Sequence, residues 1–148
     1  MITIEFMRGA LPVGFEVLRH AADGEAFDML ATLAREWANG ENRFDRPGEA
    51  LVAAFEGTTL VGMGALSHDP TIADALRMRR FYVAPRYRRK GVGRMLAKAL
   101  LDRPDVASRK ITLNAPHVEA ARFWESLGFI RDPQDGHTHI RAGDFAHA

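Results

Sequence analysis

One stretch of the chain, residues 75–101, constrains the fold more than any other, because a strand, a basic loop and a helix follow one another within it. The run from Phe81 to Val83 is aromatic and β-branched, as is typical of a buried strand. Pro85 ends this strand because proline has no amide hydrogen for a sheet ladder. Apolar residues then recur at helical spacing within residues 91–101. The stretch therefore predicts a strand joined by a tight loop to an amphipathic helix.

The loop between this strand and this helix has the properties of an anion site. Its sequence is Arg88-Arg89-Lys90-Gly91-Val92-Gly93. The first amide N–H groups of a helix lack intrahelical partners and lie at the positive end of the helix dipole, and glycines allow a ligand to approach them closely. The loop lacks the third glycine of a dinucleotide fingerprint and the Gly-Lys-Ser/Thr of a nucleoside triphosphate loop. We therefore expect this loop to bind the phosphates of a ligand that is recognised by neither of these two motifs.

A second landmark follows the first at the spacing of one small domain. Residues 111–114 form a short apolar run that ends in Asn114, and the next segment is Ala120-Ala121-Arg122-Phe123-Trp124-Glu125-Ser126-Leu127-Gly128-Phe129. The arrangement Arg88-x-x-Gly91-x-Gly93 resembles the acyl-CoA pyrophosphate loop of the GNAT superfamily of N-acyltransferases. The second segment is similar to that family's Ala-x-x-Phe-Tyr-x-x-x-Gly-Phe pattern, except that Trp124 occupies the tyrosine position.

The resemblance covers roughly residues 14–141 and implies an α+β fold. In that fold a central, mostly antiparallel mixed sheet of six to seven strands is flanked by about four helices. We expect a single GNAT-like acyltransferase domain over residues 14–148, with residues 1–13 as an N-terminal extension or an edge strand. The resemblance also implies that the strands ending at Val83 and Asn114 splay apart, so that the pantetheine arm of coenzyme A lies between them.

The same resemblance implies which residues bind acetyl-CoA, the cosubstrate. Backbone N–H groups of the loop are expected to hold the pyrophosphate, with Arg88 and Lys90 as charges. The backbone of Phe81 and Val83 is expected to pair with the pantetheine amides, while residues from the second landmark line the other wall. The full expected set is Phe81, Val83, Arg88, Arg89, Lys90, Gly91, Val92, Gly93, Arg94, Asn114, Ala120, Phe123 and Trp124. No metal is expected.

Two catalytic roles are proposed from the resemblance and from residue type. The backbone N–H of Val83 is expected to stabilise the negative charge that develops on the carbonyl oxygen. Trp124 cannot protonate the leaving thiolate, because an indole is a donor of very weak acidity, so Tyr82 and Tyr87 are substitutes by residue type, and Tyr82 is retained as a catalytic candidate. A coenzyme A thiolate also leaves readily without an acid, because water can protonate it.

The sequence does not single out a general base. Arginines stand where some family members carry a glutamate, in the strand before Val83. The candidates from predicted loops and strand ends are Glu41, Asp45, Asp132, His117, His137 and His139. His137 and His139 would share a strand face, but no third metal ligand accompanies them.

Charge is distributed unevenly along a chain whose net charge is only +1. Eight of the 20 basic residues lie between Arg77 and Arg94 without an acidic residue among them, whereas the remainder holds 12 basic residues against 19 acidic ones. A nucleic-acid surface is the rival interpretation of such a cluster. A nucleic-acid surface usually occurs on a domain that is basic as a whole and has aromatic residues interleaved on an open face. A small polyanion is therefore the better candidate ligand for this basic cluster.

Composition narrows the remaining possibilities. The 148 residues are 47% hydrophobic and 26% charged, which suits one globular domain, and the absence of cysteine excludes disulfides and thiolate metal sites. Charges interrupt the apolar part of residues 1–8, and no window reaches the length of a membrane span. We expect a cytoplasmic protein without membrane or nucleic-acid partners, and homodimerisation stays open.

The other elements are predicted from local patterns. Residues 15–19 are predicted as the first core strand, and Asp23 as the cap of a helix with Phe27, Leu30, Ala34 and Trp37 on one face. Residues 51–55 and 60–66 form a predicted hairpin, and the last two strands are predicted at 129–131 and 137–140. The loops at 38–48 and 132–136 are expected to select the acceptor.

Three functions are consistent with these patterns. The first is transfer of an acetyl group from acetyl-CoA directly to a primary amine of a small molecule or peptide. The second is a CoA-binding sensor or regulatory module without turnover, suggested by Trp124 and the missing base. The third is a basic nucleic-acid-binding module, whose affinity would fall steeply with salt.

Overall fold

A computed structural model describes residues 1–134 and 136–143 of the chain. Seven strands form one sheet, and four α-helices flank it. The strands are β1 (Ile2–Met7), β2 (Ala50–Glu56), β3 (Thr59–His68), β4 (Leu76–Val83), β5 (Ile111–Leu113), β6 (Ile130–Gln134) and β7 (His137–Arg141). The helices are α1 (Phe15–Gly24), α2 (Met29–Asn39), α3 (Val92–Leu101) and α4 (Val118–Glu125).

The sheet order is β1-β2-β3-β4-β5-β7-β6. Every neighbouring pair is antiparallel except β4 and β5, which run parallel. This mostly antiparallel mixed sheet with four helices confirms the predicted fold class. The predicted hairpin forms from β2 and β3, and the two predicted final strands correspond to β6 and β7, although β6 begins one residue after the predicted start at Phe129.

Residues 15–19 do not form the predicted strand, because they open helix α1. Phe15, Leu18 and Ala22 are its buried residues, and their spacing of three and four places them on one helical face. Arg19 supports the helix through ion pairs to Glu16 at i−3 and, more weakly, to a carboxylate at i+4. A window of five residues was too short to distinguish this spacing from strand alternation.

The predicted helix cap is also corrected. Asp23 lies inside α1, and Asp28 is the residue before α2. Phe27 therefore lies in the connection between the two helices and is 39% exposed, while Leu30 and Leu33 are the buried residues of α2. The short connection between α1 and α2 lines a groove beside strand β4.

The core consists of two apolar layers, one on each side of the sheet. One layer packs beneath α3 and α4 and contains Leu96, Leu100 and Trp124. The other packs beneath α1 and α2 and contains Leu33 and Tyr82. Helices on both faces explain why β2 and β3 are buried along almost their whole length.

Strands β4 and β5 separate soon after they begin. Their pairing is limited to Leu76 with Ile111 and Arg77 with Thr112. From Met78 to Val83, strand β4 has a partner on the β3 side only. This arrangement confirms the predicted splay and leaves an opening in the middle of the sheet.

A β-bulge lies in the part of β4 that borders this opening. Met63 pairs with Tyr82 and Ala65 with Arg79, so Gly64 faces two residues of β4 instead of one. One of these two residues, Arg80, has a φ of 62°, which is a left-handed conformation that costs a non-glycine residue free energy. The extra residue reverses the side-chain alternation of β4 from this point onward.

Strand β1 occupies one edge of the sheet. It pairs along all six residues with β2, from Ile2 opposite Glu56 to Met7 opposite Leu51. Among the residues described, no helix is long and apolar enough to cross a membrane.

Gly64 provides the space that the bulge needs, so a side chain at this position should destabilise the fold. A Cβ atom at Gly64 would lie 2.6 Å from ring atoms of Phe81, whose ring is held at 4.9 Å from that of Trp124. We expect Gly64→Ala to lower the free energy of unfolding by about 1–3 kcal/mol. Gly24→Ala is the matched control, since nothing lies within 4 Å of a Cβ there. Equal unfolding midpoints in urea for both variants would contradict the proposed packing.

Candidate active site

The N-terminus of α3 forms an open cradle of backbone N–H groups. Gly91 precedes the helix, and the first intrahelical bond runs from the N–H of Met95 to the carbonyl of Gly91 at 3.0 Å. The amides of Gly91 and of the three residues after it therefore have no intrahelical acceptor. They lie at the positive end of the helix, where an anion is stabilised.

Local conformation explains why this sequence forms the cradle. Pro85 begins a single 3-10 turn that ends at Tyr87 and stops strand β4. The chain then passes through left-handed conformations at Arg89, with φ 62°, and Gly91, with φ 82°. At Gly93 a Cβ atom would point toward Phe123, 3.6 Å away. The absence of a side chain at Gly93 keeps the mouth of the cradle open.

The charges of the loop are not all available to a ligand. Arg88 forms two hydrogen bonds to Glu25, at 2.9 and 2.6 Å, and its Nε donates to the carbonyl of Val83 at 2.9 Å. Arg94 donates to the hydroxyl of Ser126 at 2.7 Å, a neutral partner that does not compensate its positive charge. Sequence reasoning missed Glu25, because it lies 63 residues from Arg88 and no local pattern connects them.

A cleft of about 630 Å³ extends from the cradle into the opening between β4 and β5. It brings together nearly all the residues expected to bind the cosubstrate, including both landmarks of the sequence. The predicted residues that line it are Phe81, Tyr82, Val83, Arg88, Arg89, Gly91, Val92, Gly93, Arg94, Ala120, Phe123 and Trp124. Two predicted residues do not line this cleft. Lys90 lies near the ring of Tyr87, with 5.8 Å between its Nζ and the ring centroid, and Asn114 lines a neighbouring groove.

The backbone of Val83 faces the opening. The N–H of Ala84 donates to the carbonyl of Val61 at 2.8 Å across the β3–β4 ladder. Since successive residues of an antiparallel strand direct their N–H and C=O groups to opposite sides, those of Val83 point away from β3. The contact of Arg88 with the Val83 carbonyl agrees with this direction. An amide hydrogen is therefore directed into the opening.

A second groove, of about 950 Å³, lies on the other side of the opening. It shares Phe81, Val83 and Trp124 with the cleft, so the two adjoin at the opening in the sheet, and together they are called the passage. The connection between α1 and α2 and the segment after β5 form its walls, together with the side chains of β4. None of the described residues of the loops 38–48 and 132–136 is among those that line it; Asp135 lies outside the described residues.

Comparison with known proteins identifies the family. A family model described as an acetyltransferase (GNAT) domain matches residues 20–142, which is most of the chain. The chain belongs to the GNAT acetyltransferase family. No curated protein matches it in sequence.

Solved structures share the GNAT fold. A protein of Exiguobacterium sp. 255-15 assigned as an acetyltransferase has a TM-score of 0.85 at 21% identity, over 96% of this chain and 93% of that one. A GNAT family acetyltransferase of Staphylococcus aureus Mu50 has a TM-score of 0.73 at 13% identity, over 95% and 98%. A third, from Elizabethkingia anophelis with acetyl-CoA bound, has a TM-score of 0.59 at 16% identity, over 89% and 78%.

The position that carries tyrosine in the GNAT pattern holds a packed tryptophan here. Trp124 is 8% exposed, and its ring makes edge contacts with Phe81 and Phe123, both at 4.9 Å between centroids, and with Phe129 at 5.6 Å. Such edge-to-face clusters add stability beyond the area they bury. Trp124 therefore forms an apolar wall of the passage and offers no acidic proton.

The hydroxyl of Tyr82 is held away from this wall. Tyr82 belongs to the core layer beneath α1 and α2, and its hydroxyl donates to Glu25 at 2.5 Å. Burial, and then the hydrogen bond to Glu25, raise the pKa of Tyr82 to about 12. Hydrogen bonds from Arg88 and Tyr82 lower the pKa of Glu25. The geometry gives Tyr82 a clear role in linking α1 to the strand beside the cradle.

Among the candidate bases, His117 lies on the second groove. It is exposed and immediately precedes α4. His139 is buried, and its Nε2 lies 2.8 Å from a Glu125 oxygen, while His137 lies 3.1 Å from Asp132. Neither of these two histidines lines the passage. No cluster of three metal-ligating side chains occurs in residues 1–134 and 136–143.

The tyrosine–glutamate contact can be tested by titration, since Tyr82 and Tyr87 are the only tyrosines of the chain. In a Tyr87→Phe variant only Tyr82 remains, and we expect its phenolate absorbance to increase with pH with a pKa of about 12. Adding Glu25→Gln removes the negative charge beside the phenol, so the pKa falls toward the ordinary value of about 10. The denatured protein is the control. A folded Tyr87→Phe protein that titrates like the denatured one would contradict the contact.

Proposed function

We propose that the protein is an N-acetyltransferase that transfers an acetyl group from acetyl-CoA directly to a primary amine of a small molecule or peptide. The observation that carries this proposal is the passage through the sheet. The helix cradle lies at one end of the passage, and the unpaired edge of β4 runs along it. Membership of the GNAT acetyltransferase family supports acetyl transfer.

The chemistry of the cradle fits the pyrophosphate of acetyl-CoA. Four amide hydrogens at the start of α3 lack intrahelical acceptors, and Gly91 and Gly93 leave their approach free of side chains. Because Arg88 is engaged by Glu25, these amides and the charges of Arg89 and Arg94 are proposed to carry most of the binding. Acetyl-CoA supplies an acetyl group activated as a thioester.

The unpaired edge of β4 is suited to the rest of the donor. An extended ligand with amide groups can pair with a free strand edge as an added strand. In this arrangement Phe81 and Val83 offer backbone groups, and Ala120 and Phe123 form the opposite wall. We assign to the Val83 N–H the stabilisation of the carbonyl oxygen on which negative charge develops.

Proton transfer from the amine is assigned to His117. An amine attacks only when it is unprotonated, and an imidazole on the wall of the groove can accept its proton directly or through water. Trp124 supplies no proton to the leaving thiolate, so water is proposed to protonate it. Tyr82 holds its proton against Glu25 and is assigned a positioning role through α1.

A CoA-binding sensor without turnover is the second candidate. The packed Trp124, in place of an acidic hydroxyl, is the observation that favours it. The two functions differ in one measurable property, because only the enzyme releases coenzyme A thiol in the presence of an amine. Thiol release with a panel of amines therefore separates them.

The cradle is tested by Gly93→Asp. A Cβ at Gly93 meets its neighbours at ordinary contact distances, so the variant is expected to fold, while its carboxylate repels the pyrophosphate. Calorimetric titration should show acetyl-CoA affinity reduced roughly 10- to 100-fold. Gly93→Asn is the control of equal shape without charge and should bind more tightly than the aspartate variant. Unchanged affinity in Gly93→Asp would place the cosubstrate elsewhere.

The base assignment is tested by His117→Gln. We expect kcat to fall roughly 100-fold or more, with the KM for acetyl-CoA unchanged, because the imidazole acts on the acceptor and not on the cradle. His20→Gln, at an exposed position of α1, is the control that loses a histidine outside the passage. A variant at His117 with the wild-type kcat and pH–rate profile would exclude this residue as the base.

A further inference from the structure

Three arginines of β4 line the second groove: Arg77, Arg79 and Arg80. Two of them are neutralised by carboxylates of the chain. Arg77 lies 3.7 Å from the buried carboxylate of Asp69, and Arg80 lies 2.8 Å from Glu36 of α2. The groove therefore has a basic wall whose charge is only partly compensated.

Arg79 is the exception on this wall. It is partly buried, and no carboxylate of residues 1–134 and 136–143 lies within 4.0 Å of its guanidinium. Its hydrogen bond is to the hydroxyl of Ser67, at a long 3.5 Å. Burial, and then the neighbouring charge of Arg80, lower the pKa of Arg79, whereas the more distant carboxylates of Glu36 and Asp69 raise it. A cation removed from water without an anion in direct contact costs free energy, and a bound anion would offset that cost.

The neighbouring guanidinium also has a spare donor. Nη2 of Arg80 donates to Glu36, but its Nε is buried without a hydrogen-bond partner among the described residues. Buried N–H donors are almost always satisfied in folded proteins, so an unmatched donor at the wall of a groove suggests a ligand acceptor. Arg79 is the last paired residue before the bulge and Arg80 is the first residue of the bulge, and both line the same groove.

We propose that the amine acceptor also carries a carboxylate group, which Arg79 binds with the help of the Arg80 Nε. This inference rests on the proposed function, because it names the acceptor class for the same passage. A guanidinium matches a carboxylate with parallel hydrogen bonds, which makes the recognition directional as well as electrostatic. An analogue in which an amide replaces the carboxylate leaves the guanidinium unpaired, so the site rejects that analogue.

Two carboxylates also line the groove, and they agree with an acceptor of both charges. Asp28 and Glu119 are exposed, so water screens their effect on the partly buried Arg79. Asp28 immediately precedes α2 and Glu119 lies in the first turn of α4, and both suit the ammonium end of an incoming amino acid. An amine without a carboxylate, such as a polyamine, would bind only to these two exposed carboxylates.

The length of the acceptor follows from the strand. Arg79 and Val83 are four residues apart, which is about 13 Å of strand, shortened by the bulge. We therefore expect the carboxylate and the reacting nitrogen to be separated by several bonds. A long ω-amino acid or an acidic side chain near the start of a peptide meets this requirement better than glycine does.

The experiment compares acids with their amides as acceptors. Thiol release from acetyl-CoA is measured with aminohexanoate against its amide, and with a short C-terminally amidated peptide carrying glutamate against the same peptide with glutamine. Phosphoethanolamine against ethanolamine distinguishes carboxylate from phosphate recognition. The same ligands are titrated calorimetrically into the protein saturated with coenzyme A, so that binding is measured even without turnover.

Wild-type protein should prefer aminohexanoate and the glutamate peptide over their amide counterparts by roughly 10- to 100-fold in kcat/KM. The difference should arise mainly in KM. Arg79→Met should reduce this ratio to near one without changing acetyl-CoA affinity, and Arg79→Lys should restore part of it. Arg131→Gln, an exposed arginine on β6, is the control for loss of one positive charge.

The outcomes separate the two proposals. If the acids bind the CoA-saturated protein through Arg79 but no thiol is released, the anion site stands and the transferase function fails. If amines are acetylated but acids and amides perform equally, or the preference survives Arg79→Met, the transferase stands and the anion site is overturned. Preference for phosphoethanolamine alone over the carboxylates would likewise overturn the carboxylate assignment.

Discussion

The separation of β4 from β5 is the constraint on which the rest of the site depends. Only two residue pairs join these strands, so the remaining edge of β4 faces an opening instead of a ladder. Backbone groups within a folded protein need hydrogen-bond partners, and an unpaired strand edge in mid-sheet is stable only if water or a ligand supplies them. One wall of the passage thus offers main-chain groups of β4, and these are available to a ligand of extended amide character.

The bulge in β4 allows one strand to serve both sides of this passage. Before it, Leu76 and Met78 face the layer beneath α3 and α4; after it, Phe81 and Val83 face that layer. Arg79 and Arg80 lie between these pairs and line the second groove. The left-handed φ at Arg80 costs free energy, and the ion pair with Glu36 and the packing of Phe81 against Gly64 offset it.

Sequence patterns correctly predicted elements that depend on residues close together in the chain. Within residues 75–101, proline and glycine mark the ends of the strand, the loop and the helix, and these elements form as expected. Residues 15–19, which open helix α1, were wrongly predicted to be a strand, because five residues of mixed pattern suit either structure. The partners of Arg88 and Arg80 were not predictable, since Glu25 and Glu36 lie 63 and 44 residues away and only the folded chain brings them near.

The pairing of Arg88 changes how the cradle must work. Its guanidinium is held by Glu25 and by the Val83 carbonyl, so Arg88 stabilises the junction of α1, β4 and the loop instead of contributing a free charge. An anion at α3 must then rely on backbone amides and on Arg89 and Arg94, whose exposed charges are screened by salt. Under the proposed function, binding of the donor would therefore depend chiefly on backbone geometry, whereas selection of the acceptor would depend on side chains of β4. Substitutions along this strand would then change the acceptor while the cradle stays intact.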